Sequence, residues 1–262
     1  MKKATLRCLC AGLFLFILSV GIPMNYSLAS DRIATSVDQK VSAATVMVFM
    51  EYDAPYENRS SWGTGFVIGD GLIMTNAHVV TDNMPKRIYV QNGMMPATEA
   101  RVVSSRYDTA DSEMVIGIPG ASYYDVAILS FTPPAGVRLP SLPFSLNTMP
   151  SLDVFAYGYP NSNQGMQLSR YTGRSVPSAR QTVNGGQVNE VIQSSPSLLM
   201  HDALCIEGNS GGPLVNERGE VVGMQTWSTS PDYDSIVTSF AIGSHGLLAF
   251  AQSVGARPAI AS

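Results

Sequence analysis

Three short segments of the sequence carry side chains that together could hydrolyse a peptide bond. Ser210 lies within the run GNSGGP, where the flanking glycines permit a sharp turn that exposes the hydroxyl. His78 lies within TNAHV, directly after an apolar run, and a short turn there would fix an imidazole in place. Asp125 precedes an apolar run and would sit at its mouth, a position that suits a carboxylate holding an imidazole in one tautomer.

Each segment also has an ordinary structural interpretation. A Gly-Ser turn is common in all-β proteins, and an isolated histidine is more often a core residue than a base. An aspartate before a strand can simply end a surface loop. The three segments occur together, however, with His78 and Asp125 in the first half of the chain and Ser210 in the second. We therefore favour a nucleophile, a general base and an orienting acid.

The elements that must position these residues are predicted to be short β-strands. Gly69-Asp70-Gly71 is a strong hairpin signal because Gly and Asp tolerate positive φ. Many short strands separated by Gly, Pro and Asn favour a barrel or sandwich over βαβ units. The predicted strands are Ala44–Glu51, Gly65–Ile68, Leu72–Thr75, Arg87–Val90, Thr98–Val103, Val126–Phe131, Val154–Tyr157, Gln187–Gln193, Val221–Trp227 and Ile236–Ile242.

The remaining segments predict how the chain is divided. Ser244–Ser253 is the only stretch that predicts a helix of useful length, and Arg106–Tyr124 lacks a strand pattern and is predicted to be a surface loop. Prolines cluster at positions 133, 134, 140 and 143, which favours an extended connector. We place the boundary there, giving units at 30–135 and 136–262.

The N-terminus has the layout of a secretory signal. Lys2, Lys3 and Arg7 precede an apolar run, and small residues end the segment at Ala29. We expect residues 1–29 to be a signal peptide, with an uncleaved membrane anchor as the alternative, and the rest of the chain to be periplasmic or extracellular. Cys205 would then be the only cysteine left, and we interpret it as a buried packing residue.

Composition excludes several classes of protein. The 262 residues are 45% hydrophobic and 14% charged, which rules out wholesale disorder. The net charge is −4 and no basic block follows the N-terminus, so a nucleic-acid partner is not expected. Only one apolar run approaches membrane-spanning length, which excludes a multi-pass membrane protein. The spacing of His201 and His245 favours surface or capping roles over a zinc site, and we expect no metal.

The motifs resemble those of the trypsin-like (chymotrypsin-fold) serine proteases, and most closely the protease domain of the bacterial HtrA/Deg type. The matching segments span about residues 40 to 245 and are GTGFVI at 63–68, TNAHV at 75–79, DVAIL at 125–129, GNSGGPL at 208–214 and SFAI at 239–242. The resemblance implies an all-β fold of two six-stranded antiparallel β-barrels with a short C-terminal helix.

The resemblance also implies a role for each site residue. Ser210 would be the nucleophile, His78 the general base and then acid, and Asp125 the orienting carboxylate. The backbone N–H groups of Gly208 and Ser210 would form the oxyanion hole. The reaction needs no cofactor, and the implied activity is that of an exported serine endopeptidase working through an acyl-enzyme.

Residues expected to bind substrate follow from the same resemblance. Ser239, Phe240 and Ala241 fall where substrate backbone is expected to pair with a strand, a mode that suits extended or unfolded polypeptides. Leu204 is expected at the floor of the specificity pocket, and Gln225 on the strand after the serine loop is a further candidate. An apolar floor favours small or medium apolar residues before the cleaved bond.

Departures from the family pattern leave alternatives open. About twenty residues follow Ile242, so we expect no PDZ domain, and the oligomeric state is open. Glu207 replaces a common proline beside the oxyanion loop, which keeps a non-catalytic peptide-binding or chaperone-like module as an alternative. Asn209 replaces the aspartate of digestive relatives, so activation by a freed N-terminus is not expected. A glutamyl-specific (V8-type) endopeptidase ranks lower, because Val222–Trp227 contains no histidine.

Overall fold

A computed structural model describes residues 33–53, 61–69, 71–81, 85–108, 124–147, 152–160, 167–174, 181–183, 186–188, 198–228 and 239–262. The predicted signal peptide at 1–29 lies outside the described residues. So do Asp70 of the predicted hairpin turn, most of the predicted strand at 187–193 and the first three residues of the predicted strand at 236–242.

The first half of the chain forms a closed antiparallel barrel. Its strands follow the order β1-β2-β3-β6-β5-β4 around the barrel. The predicted hairpin is confirmed, because β2 and β3 pair with Gly69 opposite Leu72. The strands are β1 Thr45–Glu51, β2 Ser61–Gly69, β3 Leu72–Thr75, β4 Arg87–Asn92, β5 Met95–Asp108 and β6 Tyr124–Phe131.

The second half contains a six-stranded antiparallel sheet in the order β11-β14-β13-β12-β7-β8 and a separate pair of β9 with β10. All-β architecture with a six-stranded barrel is thus confirmed. The strands are β7 Asp153–Gly158, β8 Ser169–Arg174, β9 Gln181–Val183, β10 Gly186–Val188, β11 Leu198–His201, β12 Pro213–Val215, β13 Val221–Ser228 and β14 Ser239–Gly243.

Helices occur at three places among the described residues. The short α2 covers Ala77–Thr81, and α3 covers Ser244–Ser253 as predicted. The prediction that 244–253 is the only useful helix is wrong, because α1 forms a ten-residue helix over Thr35–Ala44. Its Val37, Val41 and Ala44 recur at helical spacing and pack on the core, and this packing stabilises a sequence of weak helix propensity.

Strand β5 is longer than the sequence predicted. It continues through Asp108 and pairs with β6, with Tyr107 opposite Asp125 and Asp108 opposite Tyr124. The loop prediction is therefore wrong for residues 106–108 and for Tyr124, while 109–123 lie outside the described residues. These strand residues are largely exposed, so the hydrophobic pattern that marks most strands is absent.

A shared hydrophobic core joins the two halves. Phe66 and Val126 of the barrel belong to the same buried cluster as Phe155 and Phe240 of the sheet. Phe144, which lies between β6 and β7, is fully buried among them. A second cluster fills the barrel itself. The loops at the boundary are thus held between two packed bodies, and that boundary is where His78, Asp125 and Ser210 lie.

Candidate active site

His78 and the carboxylate of Asp125 are joined by two hydrogen-bonding contacts. Nδ1 of His78 lies 2.6 Å from Oδ2 of Asp125, and the backbone N–H of His78 donates to Oδ1 at 2.9 Å. The carboxylate is 1% exposed and the imidazole 29% exposed. Because both carboxylate oxygens contact the same residue, the imidazole ring is fixed in orientation with Nδ1 directed at the carboxylate.

The local sequence explains why this pair forms. Strand β3 ends at Thr75, which lies opposite Ala127 of β6, and α2 begins two residues later. The Asn76 side chain donates from Nδ2 to the backbone oxygen of Asp125 at 2.7 Å and ties the two strand ends together. His78, in the first turn of α2, is thereby carried to the start of β6.

Thr226 links the carboxylate to the serine, and sequence reasoning missed it. Its Oγ1 donates to Oδ2 of Asp125 at 3.1 Å, and its backbone oxygen accepts a hydrogen bond from Ser210 Oγ at 3.2 Å. The only signal in the sequence is a hydroxyl-bearing residue within the apolar strand that follows the serine loop. Through Thr226, the side chains from both halves meet at one place.

Glycines let the serine loop pack directly on the first barrel. Gly208 and Gly211 have φ of +92° and +85°, in the region that favours glycine. A Cβ at Gly211 would lie 2.1 Å from the Thr64 backbone oxygen and 3.0 Å from the Asn76 nitrogen. The loop therefore touches both β2 and the residue that precedes α2, which places Ser210 beside the histidine turn.

Main-chain hydrogen bonds hold the loop on its other side. Gly211 donates to the Gln225 oxygen at 2.9 Å, and Gly212 donates to the Asn209 oxygen at 2.9 Å. The backbone N–H groups of Gly208 and Ser210 make no hydrogen bond within the described part of the chain. Two donors on either side of one residue, both uncommitted, are what an oxyanion site requires. The side chain of Glu207 is exposed beside them.

The predicted peptide-binding strand at Ser239–Ala241 is wrong. Strand β14 is an interior strand, because Ser239 lies opposite His201 of β11 on one side and opposite Ser228 of β13 on the other. Ala241 is likewise paired on both sides, and all of β14 is buried. No backbone group is left for an added strand, since both edges are already hydrogen-bonded.

The neighbouring strand β13 lies beside the serine instead. Strand β12 pairs with β13 as far as Met224. Further along β13, residues 226–228 begin at the residue that contacts both Asp125 and Ser210.

The other predicted site residues fall in different environments. Leu204 is 39% exposed, an apolar side chain on the segment that leads to the serine loop. Gln225 is fully buried, and its Nε2 donates to the Tyr157 oxygen at 3.2 Å beneath Gly212. Gln225 therefore supports the loop from below and does not face the cleft.

Two predictions about individual side chains are settled by burial. Cys205 is a free, buried thiol as expected, and burial raises its pKa to about 12. His201 was expected at the surface, which is wrong: it is fully buried opposite Ser239, and burial lowers its pKa to about 4. His245 is exposed at the start of α3.

Within the described ranges, no three or more His, Cys, Asp or Glu side chains gather as a metal site would need. None of the helices described is both long enough and apolar enough to cross a bilayer.

Comparison with known proteins places the chain in a family context. Residues 63–224 match the trypsin-like peptidase domain family. The chain is 28% identical over 195 residues to serine protease HTR4 of Rattus norvegicus, covering 73% of this chain and 35% of the relative. It is 30% identical over 237 residues to the mitochondrial serine protease HTRA2 of Bos taurus, covering 88% of this chain and 45% of the relative. The chain thus spans less than half the length of these relatives.

Solved structures agree with the sequence matches. The active form of the Rv3671c protease from M. tuberculosis superposes with a TM-score of 0.61 at 25% identity, covering 86% of each chain. Its inactive form superposes with a TM-score of 0.58 at 24% identity, covering 84% of this chain and 93% of that structure.

Proposed function

The chain belongs to the trypsin-like peptidases of the HtrA type, and on that premise we propose that it is an exported serine endopeptidase that cleaves extended or unfolded polypeptides. The observation that supports this most is the continuous set of contacts from His78 through Asp125 and Thr226 to Ser210. A turn with only a structural role would not require a buried carboxylate that contacts both an imidazole and a hydroxyl group.

The proposed reaction begins with attack by Ser210. Its hydroxyl rotates away from the Thr226 oxygen, transfers its proton to the outer nitrogen of His78, and Oγ bonds to the carbonyl carbon of the scissile peptide. The carbonyl oxygen becomes an oxyanion, which the N–H groups of Gly208 and Ser210 stabilise. Asp125, bonded to Nδ1, stabilises the imidazolium that forms.

The second half of the reaction returns the enzyme to its starting state. The imidazolium of His78 gives its proton to the leaving amine, and the peptide C–N bond breaks to leave an acyl-enzyme on Ser210. A water then loses a proton to His78 and attacks the ester carbonyl carbon. The bond from that carbon to Oγ breaks, the imidazolium of His78 returns the proton to Oγ, and the acid product leaves. No cofactor is needed at any step.

Substrate backbone is proposed to lie alongside residues 226–228 of β13. This segment lies beside Ser210, so an extended chain bound there passes its carbonyl carbon close to Oγ. Backbone pairing reads no side chains, which suits unfolded chains. The exposed apolar side chain of Leu204 favours small or medium apolar residues before the cleaved bond.

The test compares the chain without residues 1–29 with its Ser210→Ala variant on casein and with a fluorophosphonate probe. We expect cleavage and labelling by the parent, and a loss of at least about 10³-fold in the variant. Ser253→Ala, which removes an exposed hydroxyl at the end of α3, is the matched control and should retain activity. A cleavage-site profile on a denatured proteome then gives the specificity and tests the glutamyl alternative.

One observation favours a second candidate, a non-catalytic peptide-binding module. The hydroxyl of Ser210 donates to the Thr226 oxygen in this structure, so its proton is directed away from the imidazole. A binding module would keep that arrangement with peptide bound. If the folded parent protein binds casein but is not labelled by the fluorophosphonate, the binding module is supported and the peptidase proposal is wrong.

A further inference from the structure

We propose that Thr64 is a positioning residue that sets the oxyanion site from the opposite half of the molecule. The inference rests on the peptidase function proposed above. Thr64 lies in β2 of the first barrel and is fully buried. The sequence analysis included Thr64 only as part of the segment GTGFVI and assigned no role to it.

Thr64 makes four hydrogen bonds, and two of them reach the serine loop. Its Oγ1 donates to the backbone oxygen of Gly208 at 2.7 Å, and its backbone N–H donates to the oxygen of Ser210 at 2.9 Å. Its Oγ1 also accepts from the N–H of Tyr159 at 2.9 Å, while its own backbone oxygen accepts from Thr75 Oγ1 at 2.6 Å.

These contacts hold the two peptide groups on either side of the one that carries the Ser210 N–H. Thr64 binds the carbonyl oxygens of Gly208 and Ser210, which belong to the Gly208–Asn209 and Ser210–Gly211 peptide groups. A peptide group is planar, so each bond fixes a whole plane, and the Asn209–Ser210 peptide between the two planes has less freedom to rotate. Gly208, at φ +92°, has a backbone that rotates easily, and anchoring its oxygen limits the rotation of its own N–H.

The hydroxyl of Thr64 is the part that no apolar side chain can replace. Its single proton goes to Gly208, and its lone pair takes the N–H of Tyr159, so one atom satisfies two buried main-chain groups. Valine has the same shape but leaves both groups without partners, which favours a rotated loop. Serine keeps both bonds.

The test measures Thr64→Val, Thr64→Ser and the control Thr45→Val on a peptide ester. Thr45 is also a fully buried threonine, and its Oγ1 donates to the Val41 oxygen at the end of α1. We expect Thr64→Val to lower kcat about 10- to 100-fold with little change in KM, because the oxyanion forms only during reaction. Thr64→Ser should restore kcat, and Thr45→Val should retain it whatever its melting temperature.

A second readout separates positioning from general loss of structure. A peptide aldehyde forms an oxyanion on Ser210, whereas the same peptide as a carboxamide binds without one. Thr64→Val should weaken the aldehyde by the same factor as kcat/KM and leave the carboxamide unchanged. Equal weakening of both ligands, or a folded Thr64→Val with parental kcat, overturns the role of Thr64.

Two further outcomes are also decisive. If Thr64→Val does not fold, Thr64→Ala is judged by the same ratio of aldehyde to carboxamide binding, and an unchanged ratio overturns the proposal. A parent protein that neither turns over the ester nor reacts with fluorophosphonate overturns the peptidase function itself. Turnover by the parent together with an unaffected Thr64→Val removes only the inference about Thr64.

Discussion

In the first barrel the imidazole of His78 is held by side chains, whereas in the second half the hydroxyl of Ser210 is held by main chain. The carboxylate of Asp125 makes contacts with His78 and Thr226, and Asn76 fixes the backbone beneath it. The serine loop instead depends on glycines at positive φ and on carbonyl and N–H contacts.

These two arrangements predict which substitutions should affect the catalytic rate and which should affect the conformation of the loop. A side-chain contact can be removed while the backbone stays in place, so changes at the carboxylate should leave a folded, slow enzyme. A loop packed by its main chain has no room for an added carbon, so changes there should move the loop itself. The following variants test that contrast, beginning with the largest effect.

Asp125→Asn should lower kcat about 10⁴-fold while the protein stays folded, because the amide holds the imidazole in the wrong tautomer. Steady-state kinetics and a thermal melt measure the two parts. The matched control is Asp53→Asn, which removes an exposed carboxylate paired with Lys86 and should change neither. A loss smaller than tenfold would show that Asp125 does not orient the base.

Gly211→Ala should lower kcat/KM by about 10²-fold or more, since its Cβ would meet the Thr64 oxygen at 2.1 Å and displace the oxyanion donors. Gly136→Ala is the control, because Gly136 has nearly the same φ, +83°, but open space around it. It should cost about 1 kcal/mol of stability and no activity. Equal effects in the two variants would remove the close-packing argument.

Thr226→Val should lower kcat by about 10- to 100-fold, because a hydrogen bond to a charged group is worth about 1.5–3 kcal/mol. The backbone oxygen that contacts Ser210 is kept, so only the carboxylate side is disturbed. Thr226→Ser should restore the rate. If the valine variant has the same kcat as the parent, the hydrogen bond from Thr226 to Asp125 has no role in catalysis.

His201 is not part of the catalytic triad, so we expect it to affect only the pH dependence of the free energy of unfolding. Its pKa in the folded state, about 4, is below its ordinary value of 6.5, so between these pH values the unfolded chain takes up a proton that the folded chain does not. The free energy of unfolding therefore falls as pH drops from 6.5 to 4, by about 3 kcal/mol in full.

Urea denaturation at pH 7 and pH 4 measures that dependence. His201→Leu should flatten it, whereas His245→Gln at an exposed site should leave it unchanged. The same slope in parent and His201→Leu would mean that the buried imidazole is not the group that titrates.

Local sequence patterns predicted the elements whose formation depends on contacts between residues close together in the chain. The hairpin at Gly69, the helix at Ser244–Ser253 and the strands of the barrel follow from turn residues and apolar runs. Helix α1 was missed because its stability comes from packing on a distant core rather than from propensity. The end of β5 was missed because pairing with β6 overrides a polar pattern.

The site was predictable in part for the same reason. His78, Asp125 and Ser210 stand in recognisable runs, and the structure brings His78 and Asp125 into direct contact and connects them to Ser210 through Thr226. Which strand edges are free depends on pairings between segments far apart in the chain, so the interior position of β14 was not predictable. The burial of His201 follows from that same pairing.

The bond from the Thr64 N–H to the Ser210 oxygen couples the shape of the serine loop to the contact between the two halves. It crosses the boundary between the halves, where one buried hydrophobic cluster that includes Phe144 draws residues from both. We therefore expect separation of the halves and loss of the serine-loop conformation to occur together. On heating, enzymatic activity should therefore be lost over the same temperature range as the calorimetric unfolding transition. We expect no temperature at which the protein is folded but inactive.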